Sequence, residues 1–284
     1  PNSTFLNPNS QLLPKMNRID LTFAKLAAAN RKALVAYLTA GDPDFDTSLA
    51  ILRTACASGV DVVELGVPFS DPTCDGPVIQ AASERALRAG MSLSRSLRLA
   101  AALRETVETP IVLFSYYNPL FKYGLARIAE EAASAGVDGM LVVDLPPEEA
   151  GPLADALAGR SIHLIRLAAP TTRPDRIRML ADGAGGFLYL ISRTGVTGTG
   201  GLDYDEVARH AALVKSLCPH PVCIGFGISH GNDAHALAPL ADGIIVGSAL
   251  VRLIAEAPAG TDLPGLIAAK IHELRDGMDA SPAS

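Results

Sequence analysis

"ALVAYLTAGDPDF", residues 33–45, decides between two folds: an unbroken apolar run enters a turn of Gly, Asp and Pro, with no dinucleotide-type glycine fingerprint after it. Apolar runs without polar alternation mark strands covered on both faces, as in a parallel sheet. Seven more follow: "DVVELGV" (61–67), "PIVLFSYY" (110–117), "GMLVVDL" (139–145), "HLIRLAA" (163–169), "GFLYLIS" (186–192), "PVCIGFG" (221–227) and "DGIIVGS" (242–248). Between them Ala, Leu, Arg and Glu recur at helical spacing, as in 48–59 and 124–139, with glycines suited to end a helix. Eight strand–helix units predict a closed (β/α)8 TIM barrel, and the absent fingerprint argues against an open doubly wound sheet.

Two additions to the barrel are expected. "RIDLTFAKLAAAN" (18–30) predicts an extra N-terminal helix capping the barrel bottom. The long connection after strand 2 has room for an extra helix in "VIQAASERALRAG" (78–90). The expected organisation is a flexible leader over 1–15, a single barrel domain over 16–276 and a flexible tail over 277–284.

Composition narrows the function. Of 284 residues, 49% are hydrophobic and 19% charged, which suits a large core, and the net charge of −6 gives no footprint for nucleic acid or an anionic membrane. No apolar run reaches the roughly 18–20 residues of a membrane helix, and a cytoplasmic protein is expected. Four cysteines in a chain this long make no disulfide framework. Cys218 and Cys223 flank His220, but without a second ligand cluster, so no metal site is expected.

In barrels the loops at the C-terminal strand ends carry the chemistry, and those after strands 2 and 6 are the longest. Glu64 interrupts the second strand's apolar run, where burial disfavours the charged form and raises a carboxyl pKa toward the range of a general acid/base. Its structural alternative is an ion pair, for which the strand runs offer only Arg166 as a cation. Asp71 and Asp75 follow on a turn-forming loop; each is readable as a turn residue, but a loop leaving the Glu64 strand returns over the barrel mouth. "GFGIS" (225–229) and "VGSAL" (246–250), at successive late strand ends, predict a phosphate cradle of backbone amides. Tyr37 and Tyr189 read as barrel filling, although the Tyr189 hydroxyl is within reach of the mouth. No lysine sits at a strand end to form a Schiff base, since Lys32 precedes strand 1.

Together "YLTAGDPD", "ELGVPFSDPTCDGPVIQAA", "SYYNP", "DLPPEE", "SRTGVTG", "GFGIS" and "VGSAL" closely resemble the tryptophan synthase alpha chain, from about Met16 to Glu256. The resemblance implies a lyase cleaving indole-3-glycerol phosphate by a retro-aldol reaction to indole and glyceraldehyde 3-phosphate in tryptophan biosynthesis. It implies Glu64 as acid/base, Asp75 as acceptor of the indole N–H, and Tyr189 beside the reacting side chain. Gly198, Gly225, Gly227, Gly247 and Ser248 would hold the phosphate. Tyr37, Leu141, Leu167, Thr197, Phe226 and Ile245 would form the indole pocket, with Thr197 meeting Asp75 on closure. It implies no cofactor in this chain, and a beta chain partner that carries pyridoxal phosphate in an alpha2beta2 heterotetramer. A stand-alone indole-releasing lyase is the alternative. Asp71, "SYYNP" and "DLPPEE" would face the partner. Thr73-Cys74 and the glycine-rich "GTGG" depart from the family pattern without removing a reacting group.

Overall fold

A computed structural model describes residues 16–191, 204–225 and 227–280. Its strands are β1 Ala33–Thr39, β2 Val62–Gly66, β3 Ile111–Ser115, β4 Gly139–Val142, β5 His163–Ala168, β6 Leu188–Ile191, β7 Val222–Gly225 and β8 Gly243–Val246. All neighbours pair in parallel in chain order, and β8 pairs back onto β1, closing the barrel. The helices are α1 Arg18–Ala28, α2 Phe45–Ala57, α3 Pro77–Arg88, α4 Leu93–Arg104, α5 Tyr117–Tyr123, α6 Leu125–Ser134, α7 Gly151–Leu157, α8 Pro174–Asp182, α9 Tyr204–Leu217, α10 Gly231–Leu237, α11 Ser248–Glu256 and α12 Leu263–Asp279. The chain is therefore a (β/α)8 barrel.

Both expected extra helices are present. Asn17 caps α1 by accepting from the Ile19 amide, and its own amide group donates to the Asp138 carbonyl at 2.8 Å. That tether drives Ile19, Phe23 and Leu26 into the barrel bottom against Val35, Val62, Val112 and Phe187. Each such fully buried side chain contributes roughly 1.5–3 kcal/mol relative to exposure. After β2 the chain makes α3, begun by Gly76 and Pro77, before the Ser92-capped α4. Arg85 of α3 donates to both oxygens of buried Asp42 at 2.8 Å, a bidentate clasp fixing α3 against the loop after β1.

Two elements lie outside the sequence expectation. α5 occupies part of the "SYYNP" stretch. α12 runs to Asp279, past the expected boundary at 276. Its final turn packs Met278 on the core, and a Cβ at Gly277 would collide with the Gly231 carbonyl. That close approach requires glycine.

At the barrel bottom three aspartates do structural work of one kind. Asp61, Asp138 and Asp242 each immediately precede a strand. Each donates its amide to the carbonyl of a residue on the neighbouring strand (Leu34, Ile111 and Val222) and accepts that residue's amide on its carboxylate. Cations complete the charges: Arg275 on Asp61, Arg104 and Arg18 on Asp138, and Lys215 on Asp242. These acids close strand ends far from the mouth.

Candidate active site

β1 and β2 run in register with Tyr37 opposite Glu64, and β3 sets Val112 on the other side of Glu64. Above this level the barrel opens into a cavity of about 610 Å³, which Glu64, Asp75 and Tyr189 all line. That volume fits a small-molecule site.

Glu64 is 1% exposed, and its Oε1 has no hydrogen-bond partner among the described residues. Arg166, the cation of the structural alternative, instead reaches the Gly183 carbonyl at 3.4 Å. Burial pushes the Glu64 carboxyl up to about 8. It is therefore mainly protonated at neutral pH and able to give and retake a proton.

Asp75 closes the loop between β2 and α3. The turn is held by Asp75 N–H to the Pro72 carbonyl (3.1 Å) and by Gln80, which donates to the Asp75 carbonyl at 2.8 Å. Burial pushes its carboxyl up to about 6, with a hydrogen bond from the Tyr116 hydroxyl pulling downward. Asp75 is thus an anion at neutral pH beside a protonated Glu64. Environments that push two carboxyls to different values divide the acid and base roles between them. Asp71 lies outside the cavity, exposed, accepting from Ser70.

The apolar part of the cavity lining includes Tyr37, Leu167 and Ile245. Leu141 is a correction: it packs below the cavity with Val112, Ile165 and Phe187, and Val143, which directly follows β4, lines the cavity. Phe114 also lines it, edge-on to Tyr37 with ring centroids 5.1 Å apart, and Ile79 of α3 packs on Tyr37. Period-two alternation along β3 and β4 carries the signal for Phe114 and Val143. Burial, with Glu64 a smaller contributor, raises the Tyr189 phenol, so it stays neutral.

Gly227, Gly247 and Ser248 also line the cavity, Gly247 against the Tyr37 side chain. Gly227 adopts φ +85°, and Gly247 caps nine-residue α11, whose first residue is Ser248. Amides at a helix start with an adjacent glycine turn suit an anion. Gly225 departs from expectation. It lies on buried β7, where a Cβ would collide with the Tyr189 ring and hydroxyl. Its lack of a side chain seats Tyr189. Arg252, one turn along α11 from Ser248, is the one Lys or Arg among the described cavity-lining residues, and it escaped sequence reading because a helix-surface arginine is commonplace. Thr197, Gly198 and Phe226 lie outside the described residues.

Among the described residues no group of three or more His, Cys, Asp or Glu could hold a metal ion. No described helix is long and apolar enough to cross a membrane.

Residues 23–275 match the family model "Tryptophan synthase alpha chain". The tryptophan synthase alpha chain of Desulfosudis oleivorans is 50% identical over 260 residues, 92% of this chain and 98% of that protein. That of Desulfatibacillum aliphaticivorans is 52% identical over 241 residues, 85% of this chain and 91% of that protein. The crystal structure of tryptophan synthase subunit alpha from Legionella pneumophila superposes with a TM-score of 0.87 at 38% identity, covering 93% of this chain and 99% of that one. A matching family model over most of the chain, relatives at half identity and a barrel with an acid pair at its mouth lead to one assignment: the chain belongs to the tryptophan synthase alpha chain family, enzymes of tryptophan synthesis.

Proposed function

We propose that this chain cleaves indole-3-glycerol phosphate to indole and glyceraldehyde 3-phosphate. The observation carrying this reading is that a buried Glu64, whose Oε1 has no hydrogen-bond partner among the described residues, and a loop-borne Asp75 line one cavity together with apolar side chains, glycines and a helix start. A flat aromatic ring with a phosphorylated tail needs both surfaces.

The chemistry follows from the two acids. Glu64 delivers its proton to ring carbon C3, while Asp75 accepts a hydrogen bond from the ring N–H and stabilises the positive charge that develops there. The Glu64 carboxylate then takes the proton of the hydroxyl on the side-chain carbon bonded to C3. The bond between the two carbons breaks, its electrons return to the ring, and the hydroxyl carbon leaves as the aldehyde. Glu64 ends protonated, so the cycle needs no cofactor from this chain. Tyr189, neutral and seated against Gly225, bounds the reacting side chain. The amides around Gly227, Gly247 and Ser248 hold the phosphate.

The same reading gives indole a destination in a beta chain carrying pyridoxal phosphate, within an alpha2beta2 assembly in the cytoplasm. Apolar side chains beside the mouth support a partner surface: Phe121 of α5 is 63% exposed and stacks near Tyr117, at 5.9 Å between centroids. The free cysteines Cys56, Cys74, Cys218 and Cys223 suit a reducing compartment.

The test is indole release from indole-3-glycerol phosphate, with the chain alone and with a beta chain added. Slow release accelerated by the beta chain is the expected result. No release in either arm overturns the lyase reading, and full turnover alone assigns a stand-alone lyase instead.

A further inference from the structure

Asp75 sits on a loop without helix or strand, yet its proposed partner, the ring N–H, demands a fixed carboxylate position. The structure supplies a fixture from another strand end. Tyr116 follows β3 directly, is 3% exposed, and lies against the Asp75 loop at two described points. Its ring packs on Phe69 with centroids 5.2 Å apart, and its hydroxyl oxygen accepts the Cys74 amide at 2.9 Å. A phenol has a single hydrogen. With Cys74 bound on the oxygen, that hydrogen is left for another acceptor, and the carboxylate of Asp75, next in the chain after Cys74, is the charge that acts most on this hydroxyl.

We propose that Tyr116 is the positioning residue for Asp75, a phenol on a rigid strand end that takes the loop amide on its oxygen and gives its hydrogen to the carboxylate. This rests on the reading of Asp75 as the N–H acceptor. The hydroxyl is the only part of the side chain that does this; the ring's contact with Phe69 is a separate, structural matter. Removing the oxygen while keeping the ring therefore separates the two roles. The bond also stabilises the ionised carboxylate, so its loss raises the pH at which Asp75 becomes an anion.

The experiment compares Tyr116→Phe, Asp75→Asn and the double variant in indole release, with the beta chain present and across pH. Tyr116→Phe is expected to lower kcat about tenfold to hundredfold, the range of one hydrogen bond to a charged group. Its KM should change less, and the acid limb of its pH profile should move upward. In the Asp75→Asn background the same change should cost nearly nothing further. An unchanged rate and limb in Tyr116→Phe overturns the proposal, as does a loss that multiplies in full with that of Asp75→Asn. Should Tyr116→Phe prove unstable, 3,5-difluorotyrosine at position 116 gives a stronger donor of the same shape. The acid limb must then move downward, and a fixed limb refutes the assignment. Wild-type activity in Asp75→Asn alone would instead sink the underlying reading of Asp75.

Discussion

Glu64 and Asp75 face one cavity from two kinds of backbone: Glu64 from the middle of buried β2, Asp75 from the loop that leaves that strand. Among the described residues Glu64 Oε1 has no hydrogen-bond partner, whereas Asp75 lies beside the phenol of Tyr116 from the end of β3. Burial then pushes one carboxyl up to about 8 and the other up to about 6. Between those values one is acid and the other anion.

The pH dependence follows. kcat/KM should rise as Asp75 ionises near 6 and fall as Glu64 loses its proton near 8. The substrate phosphate also titrates near 6, so the acid limb needs assignment. Comparing profiles of wild type and Asp75→Asn does this: the Asp75 limb disappears in the variant while a phosphate limb stays. A wild-type rate that is flat from pH 7 to 10 would remove Glu64 as the acid.

Glu64→Gln tests the same group twice. In turnover it should cost about 10²–10⁴-fold, the usual weight of a general acid/base, with phosphate-ligand affinity nearly intact. In stability the sign is the reverse. The folded protein keeps the Glu64 proton up to about pH 8, whereas an ordinary Glu loses it near 4.5. The native state therefore binds more protons across that window, and wild-type stability declines as pH rises through it. Gln carries no such charge. The variant should be more stable than wild type by up to roughly 4 kcal/mol at pH 9 and nearly equal at pH 4. Urea unfolding at both pH values checks it; equal midpoint shifts at the two would contradict the buried carboxyl.

Parts of this were readable from sequence because burial writes itself into composition. A parallel strand is dry on both faces, so β1 and β2 read as apolar runs, and an acid inside one of them, Glu64, stands out. Leu141 and Val143 show the limit: both belong to one apolar run, and only the height of the barrel floor, set by α1 packing from below, decides which meets the cavity. Gly225 shows another, since a glycine beside a turn has the same composition whether it serves an anion or makes room for Tyr189. Tyr116 left no local signal because its partners Phe69, Cys74 and Asp75 are more than forty residues away in the chain. α5 was hidden by its shortness and its proline.

Arg252 should serve affinity more than chemistry. It lines the cavity one helical turn from Ser248, and the described carboxyl groups that share that lining, Glu64, Asp75 and Glu256, supply no positive charge. A phosphate dianion bound there gains a counter-charge that backbone amides alone do not supply. Arg252→Gln should raise KM for indole-3-glycerol phosphate about threefold to tenfold, in line with roughly 1 kcal/mol for an exposed charge contact. kcat should hold, and the affinity of glycerol phosphate should fall in parallel while that of indole does not. A variant that loses indole affinity equally would place Arg252 at the ring end.

The bottom-face aspartates should behave in the opposite way to those at the mouth. The Asp138 carboxylate accepts the Ile111 amide at 2.9 Å and pairs with Arg104 and Arg18, both at 2.8 Å, with its side chain 5% exposed. Removing it strands a half-buried guanidinium and a strand amide together, which costs about 3 kcal/mol or more. Asp138→Ala should therefore lower the urea midpoint sharply, while the protein that remains folded keeps kcat and KM within about twofold, because nothing at the mouth rests on this carboxylate. Barrel enzymes carry stability at the N-terminal face and chemistry at the C-terminal face, and this variant asks whether that separation holds here. Loss of kcat without loss of stability in Asp138→Ala would show that the two faces are coupled through β3 and β4, the strands this aspartate joins.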